Sequence, residues 1–182
     1  MSFSVVLDTC VLYPAHLCDT LLRLAELGLY RVLWSEDILE ELSRNLRDRG
    51  IDGDAVDRRL SEMSGAFPDA AVHGYTGLID SMRCDPKDRH VLAAAVRADS
   101  GAIVTFNTRD FPDHALTEFQ IEVVHPDEFL LDTLDLAPRI VIDELAAQAA
   151  ANRRAPKTLP SLLRALEVAG VPRFADQVRR QT

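Results

Sequence analysis

The stretch that decides the fold reads Asp85-Pro-Lys-Asp-Arg-His-Val-Leu-Ala-Ala-Ala-Val-Arg97, followed shortly by Ala102-Ile-Val-Thr-Phe-Asn-Thr-Arg-Asp-Phe111. It predicts an apolar helix with acidic residues at its start, then a buried strand with polar residues at its end. A strand that follows a helix in this way indicates a β–α–β arrangement and a parallel sheet. Ligands of open α/β sheets bind at the carboxyl ends of the strands, so we expect a site there.

Two aspartates begin the helix, and their positions predict different roles. Asp85 precedes Pro86, which suits the first helical position, so we expect Asp85 to cap the helix. Asp88 shares a face with Val91 and Leu92, and that face must pack on the sheet. A buried carboxylate needs a hydrogen-bond donor or a cation, because burying it unpaired is costly. Asp88 is therefore a candidate metal ligand; the alternative is a contact with the helix dipole.

Polar side chains also follow the strands. The apolar run Ser4–Leu7 predicts a first buried strand, and Asp8 follows it directly. Asn107 and Asp110 follow the strand that ends at Thr105, and they should project to the same edge of the sheet. The alternative for each of the three is local: Asp8 would cap the next turn, and Asn107 and Asp110 would form a turn.

A glutamate in the helix predicted over residues 36–47 completes the candidate set. Ile38 and Leu42 belong to the apolar stripe of this helix. Glu41 lies at the edge of that stripe, so helical geometry turns it towards the protein more than Glu40. The alternative is an ordinary surface glutamate.

The remaining segments predict an alternation of strands and helices. We expect a strand over residues 30–34, an extended segment over 70–73 and a last core strand within 118–124. Further helices are expected over 16–28, 54–64, 78–82 and 126–134, with Pro14 and His16 delaying the first of them. The chain beyond residue 137 predicts helices only, the last one running through Gln177. The prediction is an α/β domain with a central parallel sheet over residues 1–135, and a helical extension over 136–182.

Charge and composition exclude several classes of function. A net charge of −9 argues against coating nucleic acid by bulk attraction, so any contact would use local basic clusters. The candidates are Arg44, Arg47, Arg49, Arg58 and Arg59, with Arg83, Lys87, Arg89 and Arg109 in or next to residues 85–111. No apolar run reaches the roughly 18 residues that span a bilayer, and the N-terminus predicts no signal peptide. Cys10, Cys18 and Cys84 lack C-x-x-C spacing and predict reduced thiols in a cytoplasm.

Four motifs, in order and spacing, resemble PIN-domain proteins, and most closely the VapC-type ribonuclease toxins of bacterial toxin–antitoxin pairs. They are Val5-Val-Leu-Asp8-Thr, Ser35-Glu-Asp-Ile-Leu-Glu-Glu41-Leu, Asp85-Pro-Lys-Asp88-Arg-His-Val-Leu-Ala-Ala-Ala and Ile103-Val-Thr105-Phe-Asn107-Thr-Arg-Asp110-Phe. The resemblance covers about residues 3–132. It implies a three-layer α/β/α fold and an acidic site of Asp8, Glu41, Asp88 and Asp110, with Thr105 and Asn107 as polar neighbours. Many members have an aspartate where Asn107 stands, which makes Asp110 the natural acid of that loop.

The resemblance also implies an activity and its partners. It implies a cytoplasmic, metal-dependent endoribonuclease that inhibits translation as a toxin, forms a homodimer and is blocked by a cognate antitoxin. Hard carboxylate oxygens suit Mg²⁺ or Mn²⁺. The alternatives are an inactive PIN-like module that binds RNA or protein, and a structural subunit that acts through its helical tail. A phosphatase of the haloacid dehalogenase type would need an aspartate where Cys10 stands.

Overall fold

The computed structural model describes residues 3–182, which form two compact units. The first unit comprises the chain up to Tyr13 together with Tyr30–Val124. The second comprises Pro14–Leu29 and His125–Thr182. The division into domains between residues 135 and 136 stays a prediction.

The first unit contains a five-stranded parallel sheet. Its strands are β1 (Ser4–Leu7), β2 (Arg31–Ser35), β3 (Ala71–Val72), β4 (Ala102–Val104) and β5 (Glu122–Val124), in the spatial order β3-β2-β1-β4-β5. The central strand β1 pairs with β2 and β4, so that Val6 is in register with Leu33 and Ile103. These three side chains are almost fully buried. The predicted α/β class with a central parallel sheet is confirmed.

Helices follow the strands of this unit. Numbered along the whole chain, they are α1 (Thr9–Leu12), α3 (Glu36–Asp48), α4 (Gly53–Ala66), α5 (Arg89–Arg97) and α6 (Asp113–Leu116). Short 3-10 turns lie at Thr76–Ser81, Pro86–Asp88 and Thr108–Asp110. Helix α5 packs on β1, β2 and β4, with its apolar residues from Val91 to Ala95 fully buried. The apolar stripe predicted for residues 85–97 is therefore the face by which α5 packs on the sheet.

Several local predictions were wrong. Helix α1 begins directly after Asp8, although Pro14 and His16 predicted a delay; Pro14 instead precedes the next helix. The helix expected from Pro86 starts as a 3-10 turn and becomes α-helical only at Arg89. The last core strand does lie within residues 118–124, as β5; Gln120, two residues before it, has a φ of 54°, which lies outside the extended region. Helix α6 was not predicted, and the piece expected over residues 78–82 is the 3-10 turn Thr76–Ser81.

The second unit is entirely helical in its secondary structure. It contains α2 (Ala15–Glu26), α7 (Pro126–Leu136), α8 (Pro138–Ala151), α9 (Leu159–Val168) and α10 (Pro172–Gln181). The buried carboxylate of Asp127 accepts hydrogen bonds from the backbone N–H groups of Arg173 and Phe174, at 3.1 and 2.8 Å, at the start of α10. Among residues 3–182, no helix is both long and apolar enough to cross a membrane.

Candidate active site

Asp8 lies at the carboxyl end of β1 and is only 4% exposed. Its Oδ1 accepts a hydrogen bond from the Thr9 backbone N–H at 2.7 Å and so caps α1. Its Oδ2 accepts hydrogen bonds from Thr105 Oγ1 at 2.7 Å and from Cys10 Sγ at 3.2 Å. The capping role given as the alternative is therefore present, but it uses one of the two oxygens. The other oxygen is oriented by Cys10 of α1 and by Thr105, which follows β4.

Thr105 and Cys10 form a small network behind Asp8. Thr105 is fully buried, and its Oγ1 also accepts a hydrogen bond from the Asn107 backbone N–H at 3.0 Å. Cys10 Sγ lies 3.3 Å from Thr105 Oγ1 and accepts from the Phe106 N–H at 3.3 Å. Burial and the charge of Asp8 raise the pKa of the Cys10 thiol to about 12, so it stays protonated and donates. The sequence predicted Cys10 only as a reduced thiol, and its spacing from Asp8 was the available signal.

Asp88 heads the apolar stripe of α5 and is 7% exposed. Within the described part of the chain, its Oδ2 is buried and has no hydrogen-bond partner. The Lys87 ammonium lies 3.9 Å from this oxygen, beyond hydrogen-bonding distance. Burial first, and then the negative charges of Asp8 and Asp110, raise the pKa of Asp88 to about 7, while Lys87 opposes the shift. Asp88 is therefore a buried carboxyl that lacks sufficient compensation for its charge.

Asp110, which follows β4, contacts residues of the turn at the start of α5. Its Oδ2 lies 2.9 Å from Lys87 Nζ, and its carbonyl oxygen accepts a hydrogen bond from the Asp85 N–H at 3.0 Å. Asp85 Oδ1 in turn accepts from the Lys87 N–H at 3.1 Å, which is the capping role expected of Asp85. The turn that carries Asp88 is thus fastened to the turn that follows β4. From the sequence, Lys87 was only a candidate basic residue, and its ion pair with Asp110 was not predicted.

Glu41 is turned inwards relative to Glu40. Its side chain is 35% exposed, whereas Glu40 is an exposed residue. Glu41 Oε2 accepts a hydrogen bond from Thr9 Oγ1 at 3.3 Å and lies 3.7 Å from His90 Nε2. Helix α3 therefore presents Glu41 towards the end of β1. Thr9 and His90 were not predicted as part of the site, because their proximity depends on how α1, α3 and α5 meet.

Three of the four predicted acids share an open cavity of about 510 Å³. Asp8, Glu41 and Asp88 line it, and Asn107 lines it as well. Thr105 does not, because it is fully buried and hydrogen-bonded to Asp8. Asp110 also lies outside the lining, although the Lys87 with which it pairs is part of it.

The residues of this cavity fit a hard divalent cation on the chemistry of their donors. The buried Asp88 Oδ2 lacks a partner, and the charges of Asp8 and Asp110 raise the pKa of this carboxyl. Taking residues 3–182 together, no group of three or more His, Cys, Asp or Glu side chains is arranged to hold a metal ion. A cation bound here would consequently use few carboxylates and keep several waters, which is the usual behaviour of Mg²⁺.

Comparison with known proteins agrees with this architecture. Residues 4–109 match the family model described as PIN domain, and residues 126–180 match the model described as VapC50 C-terminal domain. A relative from Mycobacterium tuberculosis, named "Putative ribonuclease VapC50", is 47% identical over 111 residues, which are 61% of this chain and 65% of the relative. The chain thus spans slightly less than two thirds of that relative's length. No solved structure matches the chain. Because the PIN-domain model matches more than half of the chain, the chain belongs to the PIN-domain family.

Proposed function

We propose that this chain is a metal-dependent endoribonuclease that hydrolyses phosphodiester bonds of RNA with Mg²⁺ or Mn²⁺. The observation that carries the proposal is the buried, unpartnered Oδ2 of Asp88 beside other carboxylates in an open cavity. A buried charge of this kind lowers stability unless a cation compensates it. Membership of the PIN-domain family and the ribonuclease name of the relative support the same reaction.

Asp8 and Asp88 would hold the metal, with Glu41 and Asp110 contributing directly or through water. When bound, a divalent metal lowers the pKa of a water molecule and offsets negative charge on the phosphate oxygens. Thr105 and Cys10 both donate to Asp8 Oδ2 and keep that carboxylate in one orientation.

The side chains that surround these acids would hold the substrate. Asn107 lines the cavity and carries an amide that can donate to a phosphate oxygen. The Lys87 ammonium also lines the cavity and is largely exposed, so it can attract the RNA backbone while it pairs with Asp110. Thr9 donates to Glu41 and fixes the position of that carboxylate relative to Asp8.

The test is cleavage of total RNA by the purified protein in EDTA, Mg²⁺ or Mn²⁺. The Asp88→Asn variant removes the proposed ligand charge with little change of shape. We expect it to lower the rate at least about a hundredfold, since metal-assisted charge stabilisation supplies several kcal/mol. Asp85→Asn is the matched control, because asparagine caps a helix about as well as aspartate. Equal cleavage by the wild type and Asp88→Asn would show that the site is assigned wrongly.

We further propose that the nuclease is a cytoplasmic toxin of a type II toxin–antitoxin pair that inhibits translation. The match of residues 126–180 to the VapC50 C-terminal domain supports this placement. The expected partners are a cognate antitoxin and a second copy of the chain. Co-expression with the neighbouring small gene should restore growth that the toxin alone arrests, and the two products should purify together. Size-exclusion chromatography with light scattering tests the homodimer.

One observation favours a second function, a PIN-like module that binds RNA or protein without cleaving it. In the described part of the chain, the acids do not form a three-membered metal cluster, and Lys87 already pairs with one of them. Such a module would bind RNA at millimolar Mn²⁺ and leave it intact. The cleavage experiment therefore separates the two functions.

A further inference from the structure

The cavity extends beyond the acidic residues along α3. Glu41, Asn45 and Asp48 all line it, and their spacing of four and seven residues places them on one face of the helix. Asn45 lies about 6 Å further along the helix axis than Glu41, at a rise of about 1.5 Å per residue. Tyr13, which caps the C-terminal end of α1, lines the same cavity. The cavity therefore has an acidic part at Asp8, Glu41 and Asp88, and a neighbouring part with an aromatic ring, an amide and the carboxylate of Asp48.

The side chains of this neighbouring part are uncommitted. Throughout residues 3–182, the Tyr13 hydroxyl, the Asn45 amide and the Arg49 guanidinium form no hydrogen bond or ion pair. Nearby cations differ: Arg47 pairs with Asp57, and Arg59 donates to backbone carbonyls. Tyr13 and Asn45 are half-buried, so they are accessible from the cavity without being free surface groups. Polar groups placed in this way can exchange water for a ligand at little cost.

The backbone that carries Tyr13 is held in place. The Arg59 guanidinium donates to the carbonyl oxygens of Leu12 and Tyr13, at the end of α1 where carbonyls lack helical partners. Arg59 comes from α4, so α4 fixes the end of α1. An aromatic ring on a fixed backbone loses less conformational entropy when a ligand stacks on it.

We propose that Tyr13 and Asn45 form a subsite for one unstacked nucleobase next to the scissile phosphate of single-stranded RNA. The Tyr13 ring provides a face for stacking, which is how proteins commonly bind single-stranded bases. The Asn45 amide has both donors and an acceptor, which suit the edge of a base. Arg49, exposed at the end of α3, supplies a positive charge for the adjoining phosphate. This inference rests on the proposed ribonuclease function and names the part of the substrate that the site recognises.

The experiment is a mutant cycle on a short single-stranded RNA that the wild type cleaves once. Two further substrates have the same sequence but carry an abasic nucleotide, one on the 5′ side and one on the 3′ side of the cleaved bond. We expect Tyr13→Ala to lower kcat/KM roughly 5- to 100-fold, the range that stacking of one base corresponds to. The abasic substitution on one of the two sides should lower kcat/KM of the wild type by a similar factor, and it should change kcat/KM of Tyr13→Ala little. Tyr13→Phe keeps the ring and should stay near the wild type.

Asn45→Ala tests the amide independently of the ring, and it should reduce the difference in kcat/KM between substrates that differ only in that base. Glu40→Gln is the control, at an exposed position of α3 that does not line the cavity. The subsite is wrong if Tyr13→Ala and Asn45→Ala cleave the RNA as fast as the wild type. It is also wrong if the abasic substitution lowers kcat/KM of these variants by the same factor as that of the wild type. In both cases the ribonuclease function stands. If the wild type cleaves no RNA with Mg²⁺ or Mn²⁺, the proposed function fails and the subsite fails with it.

Discussion

Removing the charge of Asp88 should stabilise the metal-free protein at alkaline pH. Burial and neighbouring negative charges raise the pKa of this carboxyl from 3.8 to about 7. The folded state thus favours the protonated form more than the unfolded state does. Its contribution to the free energy of unfolding is fully present below pH about 4 and is lost as the pH rises through about 7. At 1.36 kcal/mol per pH unit, the loss is at most about 4 kcal/mol over the whole range, and at most about 2.7 kcal/mol of it falls between pH 5 and pH 8.

Urea unfolding in EDTA at pH 5 and pH 8 measures this loss. Between these two pH values the wild type should lose about 2 kcal/mol more than Asp88→Asn, which carries no titratable group at this position. Asp85→Asn should follow the wild type, because the Asp85 carboxylate only caps the turn. Comparing variants removes the contribution of all other titrating groups. Identical pH profiles for the wild type and Asp88→Asn would refute the claim that the fold disfavours the Asp88 charge.

The same reasoning predicts that metal stabilises the protein through Asp88. At pH 8, millimolar Mg²⁺ or Mn²⁺ should raise the melting temperature of the wild type and leave that of Asp88→Asn nearly unchanged. A cation present at a hundred times its dissociation constant adds about 2.7 kcal/mol to the free energy of unfolding. No shift of the wild type with millimolar Mn²⁺ would contradict the metal site, whatever the activity of the protein.

Three further substitutions or treatments test single contacts. Thr105→Val removes the donor to Asp8 and the acceptor for the Asn107 N–H, so it should cost about 1–3 kcal/mol in urea unfolding, whereas Thr105→Ser should not. Asp127→Ala leaves the start of α10 uncapped and should cost about 1–2 kcal/mol by the same assay, with the exposed Asp132→Ala as a neutral control. Because its pKa is raised to about 12, Cys10 should react with iodoacetamide at pH 8 at least about tenfold more slowly in the native protein than in urea, as followed by peptide mass spectrometry.

The sheet and its order along the chain could be predicted from local patterns. Apolar runs such as Ser4–Leu7 are strands because they are buried on both faces, and the stripe of α5 is the face that packs on them. The same stripe predicted that Asp88 is buried, since it shares the face of Val91 and Leu92. Helical geometry likewise distinguished Glu41 from Glu40. These predictions needed only the period of a helix or a strand.

The contacts that complete the site could not be predicted, because they join residues that are distant in sequence. Thr105 lies 97 residues from Asp8, and its hydroxyl donates to Asp8 only because β4 pairs with β1. The second unit shows the same limit: Thr20 and Gln148 form a buried hydrogen bond of 2.8 Å across 128 residues. Neither residue stands out locally. Helix α2 was predicted correctly as a helix, but its sequence did not indicate that it belongs with the C-terminal helices.

Asp88 is unfavourable for folding, and its surroundings show how far the chain compensates for it. Lys87 is the adjacent cation, yet it bonds to Asp110 at 2.9 Å and stays 3.9 Å from Asp88. An asparagine at position 88 would remove the buried charge with little change of shape, so nothing in the packing of α5 requires an aspartate there. A residue that breaks local rules without a structural gain is expected at a functional site. The cost at Asp88 is therefore best explained by a ligand, and the cavity beside it supplies the access which that ligand needs.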